Sequence, residues 1–156
     1  MIGGSVVPFS VASSCLRVTL SLDDPLSDLL SKAADLAAHR KGKGGPPPEG
    51  AVELLRAYYH RVAPDDLSDR ADVDLYGAVA SHYRLAEHRP QGTAQVRVFT
   101  PSVSENGWSA GGHSVIEIVT DDMPFLVDSV TMALAAQQRT VHLVVHPVLE
   151  VLRDVT

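Results

Sequence analysis

Apolar residues in the first half of the chain recur at the three- and four-residue spacing of amphipathic helices. This pattern predicts three helices, over residues 24–40, 51–62 and 73–88. Residues 41–50 read KGKGGPPPEG, and this concentration of proline and glycine predicts an exposed linker between the first two helices. Residues 23–91 are therefore expected to form a small helical region.

Beyond Gly92 the apolar spacing changes to two, the period of a β-strand. Alternation predicts a strand over residues 94–101, and a polar loop follows over 102–112. Residues 113–122 predict a strand buried on both faces, 122–138 a helix with one apolar stripe, and 140–154 a last strand. The last strand is expected to bend at Pro147. Strand, helix and strand in succession form a βαβ unit, so the sequence predicts an α+β chain.

Composition narrows the classes of function. The 156 residues contain 13 Lys and Arg against 19 Asp and Glu, a net charge of −6, which argues against a nucleic-acid partner. A single cysteine, Cys15, excludes a disulfide scaffold and a multi-cysteine zinc site. No apolar run reaches the roughly 20 residues that a membrane span needs. In residues 1–22 the first basic residue, Arg17, follows the apolar stretch, so we expect an N-terminal arm rather than a signal peptide, and a cytoplasmic protein.

One string resembles a catalytic motif. Residues 107–111 read GWSAG, a G-x-S-x-G match, and aspartates and then histidines follow Ser109 in the order that α/β-hydrolases use. A nucleophile elbow needs a strand before the serine and a helix after it, whereas here a polar loop precedes Ser109 and a strand follows. We therefore expect a glycine-rich hairpin loop, with Trp108 folded back onto the sheet.

The histidines do not predict a metal site. His142 and His146 fall on one face of the last predicted strand, about 13 Å apart at 3.3 Å per residue. One ion cannot bind both, because metal–nitrogen bonds are about 2 Å long. The histidines on the predicted helices are expected at helix ends or in solvent: His39, His60, His82 and His88.

The acidic pair Asp121–Asp122 lies between a buried strand and a helix whose first turn contains Pro124. A carboxylate there can cap the helix and offset its dipole. The same geometry also permits ligand binding, because free backbone N–H groups can hold the carboxylate of a small ligand. The two acidic side chains would then suit the amino group of an amino acid.

Residues 116–134, IEIVTDDMPFLVDSVTMAL, resemble the N-terminal region of the large bacterial NAD-specific glutamate dehydrogenases. Four neighbouring stretches resemble it too: LLRAYYHRVAPDDLSDR (54–70), DLYGAVASHYRLAEHRP (74–90), VRVFTP (96–101) and HLVVHPVLEVLRD (142–154). The resemblance covers about residues 50–155 and does not extend to the N-terminal arm.

The resemblance implies a fold. The N-terminal part of that family carries ACT-like regulatory domains and helical segments, and its dehydrogenase domain lies far downstream. Residues 93–156 then correspond to the first half of an ACT-like domain. The chain is expected to be a small helical region followed by an incomplete ferredoxin-like, ACT-type βαβ unit. In such a sheet the third strand separates the first two, so the strands at 114–120 and 141–151 are expected to have free edges.

The resemblance also implies a candidate ligand site. The turn Asp121, Asp122, Met123, Pro124 and Phe125 corresponds to the Asp-x-Pro-Gly turn where many ACT domains take an amino-acid effector. Phe125 stands where that pattern has glycine, and its side chain would obstruct close approach of a ligand. The family's catalytic lysine and dinucleotide motifs have no counterpart here, so no catalytic, cofactor-binding or metal-binding residue is predicted.

The expected function is therefore regulation or assembly within a large NAD-dependent glutamate dehydrogenase. The parent reaction is the oxidative deamination of glutamate to 2-oxoglutarate, with NAD bound elsewhere in the parent chain, and this chain alone is expected to be inactive. Expected partners are the remainder of the dehydrogenase, a second copy through sheet edges, and an amino-acid effector. The alternative is a free-standing ACT-like sensor that binds an amino acid.

Overall fold

The computed structural model describes residues 5–11, 14–20, 35, 51–87 and 89–150. Within these residues there are two sheets and five helices, so the chain is α+β as predicted. The strands are β1 (Ser5–Val11), β2 (Ser14–Leu20), β3 (Gln95–Phe99) and β4 (Val115–Val119). The helices are α1 (Ala51–Tyr59), α2 (Pro64–Ser68), α3 (Asp72–Glu87), α4 (Val103–Asn106) and α5 (Leu126–Ala136).

The N-terminal arm contains an antiparallel hairpin, in which β1 pairs with β2 from Ser5 opposite Leu20 to Val11 opposite Ser14. Of the helix predicted over 24–40, only Asp35 is described; it is helical and exposed. The rest of that helix and the linker 41–50 lie outside the described residues. None of the helices in the described ranges is long and apolar enough to cross a membrane.

The hydrophobic core lies among α1, α2 and α3. Leu55 from α1 and Leu67 from α2 are fully buried in it. The other core residues are Leu54, Ala57, Tyr59, Val62, Leu75 and Val79. The sequence placed one helix over 51–62, whereas α1 ends at Tyr59 and the chain starts the short helix α2 at Pro64. Proline suits a first helical position, because its missing N–H would have no partner there.

Strands β3 and β4 form an antiparallel pair, with Arg97 opposite Glu117 and Val98 opposite Ile116. Side chains alternate between the two faces of a strand. Glu117 is buried at 3% exposure, whereas Val96 and Val98 are exposed. The polar pair therefore lies on the inner face and the valines lie on the outer one. The predicted polar loop between the strands contains the single-turn helix α4, capped by Ser102.

The prediction of a last strand over 140–154 is wrong for the residues that the structure describes. Residues 140–150 form no strand, and 151–154 lie outside the described part of the chain. Alternate side chains at Leu143, Val145 and Leu149 pack against the helical core instead. A two-residue period requires only an extended chain with one buried face. Here the helices, rather than a neighbouring strand, cover that face.

Helix α5 is shorter and more exposed than the sequence predicted. It spans Leu126–Ala136 rather than 122–138, and none of its residues is buried. Met132 is 71% exposed. Four residues of its apolar stripe are half-buried: Leu126, Val127, Val130 and Leu134.

Candidate functional site

The candidate site is the turn that joins β4 to α5. Its last residue, Phe125, has φ of 63° and ψ of 13°, in the left-handed region that favours glycine. The first helical bond follows at once, as Ser129 N donates to the Phe125 carbonyl at 2.9 Å. The Phe125 side chain is 75% exposed. An aromatic residue thus adopts a backbone conformation that favours glycine, and burial of its ring does not offset the cost.

Asp121 is held by a salt bridge. The Nη2 atom of Arg89 donates to Asp121 Oδ1 at 2.6 Å, and Arg89 Nη1 donates to the Thr93 carbonyl at 2.6 Å. Arg89 is 7% exposed, and the Asp121 side chain is 52% exposed. Because Arg89 follows the end of α3, this pair ties that end of the helical region to the turn. The Asp121 oxygen that faces Arg89 is therefore occupied by a guanidinium.

The capping interpretation of Asp121 and Asp122 is wrong. Helix α5 starts at Leu126, its N-cap position is Phe125, and no side chain among the described residues caps it. The turn over 124–125 and the left-handed Phe125 delay the helix by four residues relative to Asp122, which moves both carboxylates out of capping range. The spacing of the acidic pair could not reveal that Asp121 pairs with an arginine 32 positions earlier.

All five predicted site residues lie on the surface. Asp122, Met123 and Pro124 are exposed, and Met123 is 46% exposed. The structure therefore brings these residues together as an exposed turn at the start of α5. The first N–H groups of any helix lack intrahelical acceptors, so α5 presents hydrogen-bond donors where the turn ends, after Phe125.

A second polar cluster, missed from the sequence, lies on the inner face of the β3–β4 hairpin. Arg97 Nε donates to Glu117 Oε2 at 2.9 Å, Arg97 Nη2 also bonds that oxygen, and Nη2 reaches Ser81 Oγ at 2.5 Å. The Arg97 guanidinium lies 4.5 Å from the centre of the Phe99 ring. Glu117 Oε1 is buried and has no hydrogen-bond partner among the described residues. The sequence contained one signal for this cluster, the opposite charges of Arg97 and Glu117, but it could be used only if the pairing of the two strands was already known.

His82 belongs to the same region and is not a solvent or helix-end histidine. Its Nδ1 lies 2.9 Å from the Tyr58 hydroxyl, and its Nε2 lies 3.1 Å from the Ile118 carbonyl oxygen. Burial lowers the pKa of His82 below its usual value, against the opposing effects of the Ile118 hydrogen bond and the Glu117 carboxylate. Burial raises the pKa of Tyr58 well above its usual range.

The remaining histidines form no metal site in the described ranges. No group of three or more His, Cys, Asp or Glu side chains there is arranged to hold an ion. His60 lies at the end of α1 as expected, with Nδ1 2.9 Å from the Ala57 carbonyl oxygen. His142 is not on a strand, and its ring centre lies 4.4 Å from that of His113. His39 and His88 lie outside the described residues.

The GWSAG string shapes a loop. Ser109 N donates to Asp74 Oδ1 at 2.8 Å, and Ser109 Oγ accepts from Gly111 N at 3.1 Å. Trp108 is 4% exposed and meets the Phe99 ring edge-on at 6.0 Å between centres, so it packs against the sheet as predicted. The serine hydroxyl therefore takes part in a turn rather than in a histidine pair.

Strand β4, the turn and α5 succeed one another as the opening of a βαβ unit beside a helical core. The fold and the site thus define an α+β chain with an ACT-type unit that is incomplete in the described residues. The family model for the glutamate dehydrogenase ACT1 domain matches residues 54–156. The chain belongs to the glutamate dehydrogenase ACT1 domain family, which confirms the resemblance.

The names of two curated relatives agree with this family. The NAD-specific glutamate dehydrogenase of Halomonas elongata is 40% identical over 97 residues, and that of Pseudomonas aeruginosa is 34% identical over 97 residues. Each alignment covers 62% of this chain and 6% of the relative, so the chain spans a small part of the length of these enzymes. No solved structure matches the chain significantly.

Proposed function

We propose that this chain acts as the N-terminal regulatory or assembly region of a large NAD-dependent glutamate dehydrogenase and takes no direct part in the chemistry. The observation that carries the proposal is the ACT1 match over residues 54–156, in a segment that covers 6% of the related dehydrogenases. In the parent enzyme, glutamate would be oxidatively deaminated to 2-oxoglutarate with NAD bound elsewhere. The cytoplasmic location expected from the sequence stays a prediction.

The internal pairing of the polar side chains supports this role. Arg89 joins the end of α3 to the turn through Asp121, and Arg97 joins α3 to β4 through Ser81 and Glu117. The two arginines therefore connect the helical region to β4 and to the turn. A region built in this way is suited to transmit a change of position between the helical core and the turn, which is what regulation or assembly requires.

The test uses the Halomonas elongata enzyme, from which the segment aligned with this chain is deleted. Its sedimentation, its response to amino acids and its glutamate-dependent NADH formation are then compared with those of the intact enzyme. We expect the assembly state or the amino-acid response to change while the remaining domain still turns over. Loss of turnover in a protein that keeps the sedimentation of the intact enzyme would contradict the proposal.

The alternative is an amino-acid sensor at residues Asp121–Phe125, favoured by the exposed turn at the start of α5. Because Asp121 is paired with Arg89 and Phe125 stands at the glycine position, we expect weak binding or none. Calorimetry with glutamate, aspartate and branched-chain amino acids tests this, with Asp128→Asn as a control for a nearby carboxylate outside the turn. Micromolar binding that Asp122→Ala abolishes and Asp128→Asn preserves would favour the sensor.

We also propose self-association through the sheet edges. In the described part of the chain, β4 pairs only with β3 and does not pair with residues 140–150. An edge strand with free N–H and C=O groups is a template for another chain. Light scattering over a range of concentrations should show an average mass above that of one chain. A single monomeric mass at all concentrations would contradict this proposal.

A further inference from the structure

His82 connects three separate elements of the fold. It lies on α3, and its two ring nitrogens lie 2.9 Å from the Tyr58 hydroxyl of α1 and 3.1 Å from the Ile118 carbonyl oxygen of β4. The Tyr58 and His82 rings also meet edge-on, 5.7 Å between centres at 88°. One partly buried imidazole therefore links the helical core to the β3–β4 hairpin.

The partners determine which nitrogen of His82 carries the proton. A carbonyl oxygen can only accept a hydrogen bond, so Nε2 must be the donor toward Ile118. In a neutral imidazole Nδ1 is then an acceptor, and the Tyr58 hydroxyl donates to it. Only a neutral His82 lets Nδ1 accept from the Tyr58 hydroxyl, because a protonated ring donates at both nitrogens.

The charged groups near His82 come from both strands of the hairpin. Glu117 of β4 favours the protonated ring, whereas Arg97 of β3 and burial oppose it. Arg97 is bonded to Glu117 and to Ser81, the residue before His82. Because this arginine already satisfies one carboxylate oxygen of Glu117, the carboxylate is partly neutralised, and burial is the largest influence on the ring.

We propose that the chain of contacts Tyr58–His82–Ile118 is an acid-released latch that fastens the β3–β4 hairpin, and the turn after it, to the helical core. Protonation of His82 places a hydrogen on Nδ1, where it meets the hydroxyl hydrogen of Tyr58. The hydroxyl must then rotate, and its hydrogen loses Nδ1 as its acceptor. A buried hydroxyl hydrogen without that acceptor and a buried charged ring are both unfavourable. Separation of β4 from α1 and α3 admits water to the hydroxyl and the ring, so the protonated ring favours it.

The direction of the pH effect follows from proton binding. The separated form exposes His82 to solvent, where its pKa is about 6.5, and the closed form holds it lower. The separated form therefore binds more protons between these two values. Over that interval the equilibrium constant for separation should rise by up to about tenfold for each pH unit of acidification.

The experiment follows amide hydrogen exchange of the intact chain between about pH 7.5 and about pH 5.0, with nitrogen-15 spectra of the histidine rings to follow ionisation. Rates are corrected for intrinsic exchange. We expect the Nε2–H form of His82 at the higher pH, and loss of protection over residues 115–119 as that ring titrates. Protection of residues 54–59 should persist. A His82 ring that titrates without any change over 115–119 would overturn the latch.

Two variants separate the latch from general acid sensitivity. His82→Gln replaces the ring with an amide that can donate and accept but does not ionise, so the loss of protection should disappear; His60→Gln is the matched control and should keep it. Tyr58→Phe removes the hydroxyl that donates to the neutral ring and accepts from the protonated one, so the pH of the His82 transition should change. A transition that persists in His82→Gln, or one that Tyr58→Phe leaves unmoved, would overturn the proposal.

Discussion

Replacement of Phe125 tests the conformation of the turn before α5. A left-handed backbone costs an ordinary L-residue about 1–2 kcal/mol, and glycine avoids this cost but loses about 0.5–1 kcal/mol through its greater freedom in the unfolded chain. Phe125→Ala and Phe125→Gly remove the same 75%-exposed ring, so the difference between their free energies of unfolding reports the backbone conformation alone. We expect Phe125→Gly to be more stable than Phe125→Ala by about 0.75 kcal/mol, the difference between the midpoints of these two ranges.

Urea unfolding of the two variants measures this difference from the midpoints, provided that the slopes agree. The control is Ser129 inside α5, where Ser129→Gly should be less stable than Ser129→Ala by about 0.5–1 kcal/mol, the reverse order. The reasoning would be refuted if Phe125→Ala were as stable as Phe125→Gly while the Ser129 pair behaved as expected.

Three further predictions concern the ion pair at Asp121, the packing of Gly77 against Trp108 and the ionisation of His82. Asp121→Asn should lower the free energy of unfolding by about 1–3 kcal/mol through the lost ion pair, and Asp122→Ala by less than about 0.5 kcal/mol, both measured in urea. Gly77→Ala should cost about 1–3 kcal/mol, because the new Cβ would lie 2.3 Å from Trp108 Cβ; a shift of the tryptophan emission should accompany it. Because the folded state lowers the pKa of His82, stability should be fully present above about pH 6.5 and fall with acidification below it, a loss that His82→Gln should reduce.

Sequence patterns correctly predicted the helices and strands whose conformation depends on their own residues. The helical stripes located α1 and α3, and the change to a two-residue period located β3. The strand predicted over 113–122 is β4, but it is not buried on both faces, because Ile116 is exposed. Trp108 was expected against the sheet, and it is there. In each case the residues that decide the conformation lie within the element itself or in the loop beside it.

The wrong predictions depended on partners distant in sequence or, at Asp122, on the backbone conformation of one nearby residue. Residues 140–150 alternate like a strand, but the helical core covers their apolar side chains. Asp122 stands where a cap would, but the left-handed Phe125 starts the helix later. The position of His82 between Tyr58 and Ile118 requires the packing of three elements, which no pattern within α3 can reveal.

Steady-state turnover of the purified chain tests most directly the claim that this ACT1 region takes no part in the chemistry. Glutamate and NAD are supplied at saturating concentrations, NADH formation is followed by absorbance, and the Halomonas elongata enzyme is the positive control. We predict no glutamate-dependent NADH from the chain alone. Turnover that remains through successive purification steps, and that scales with the amount of this chain, would contradict the account.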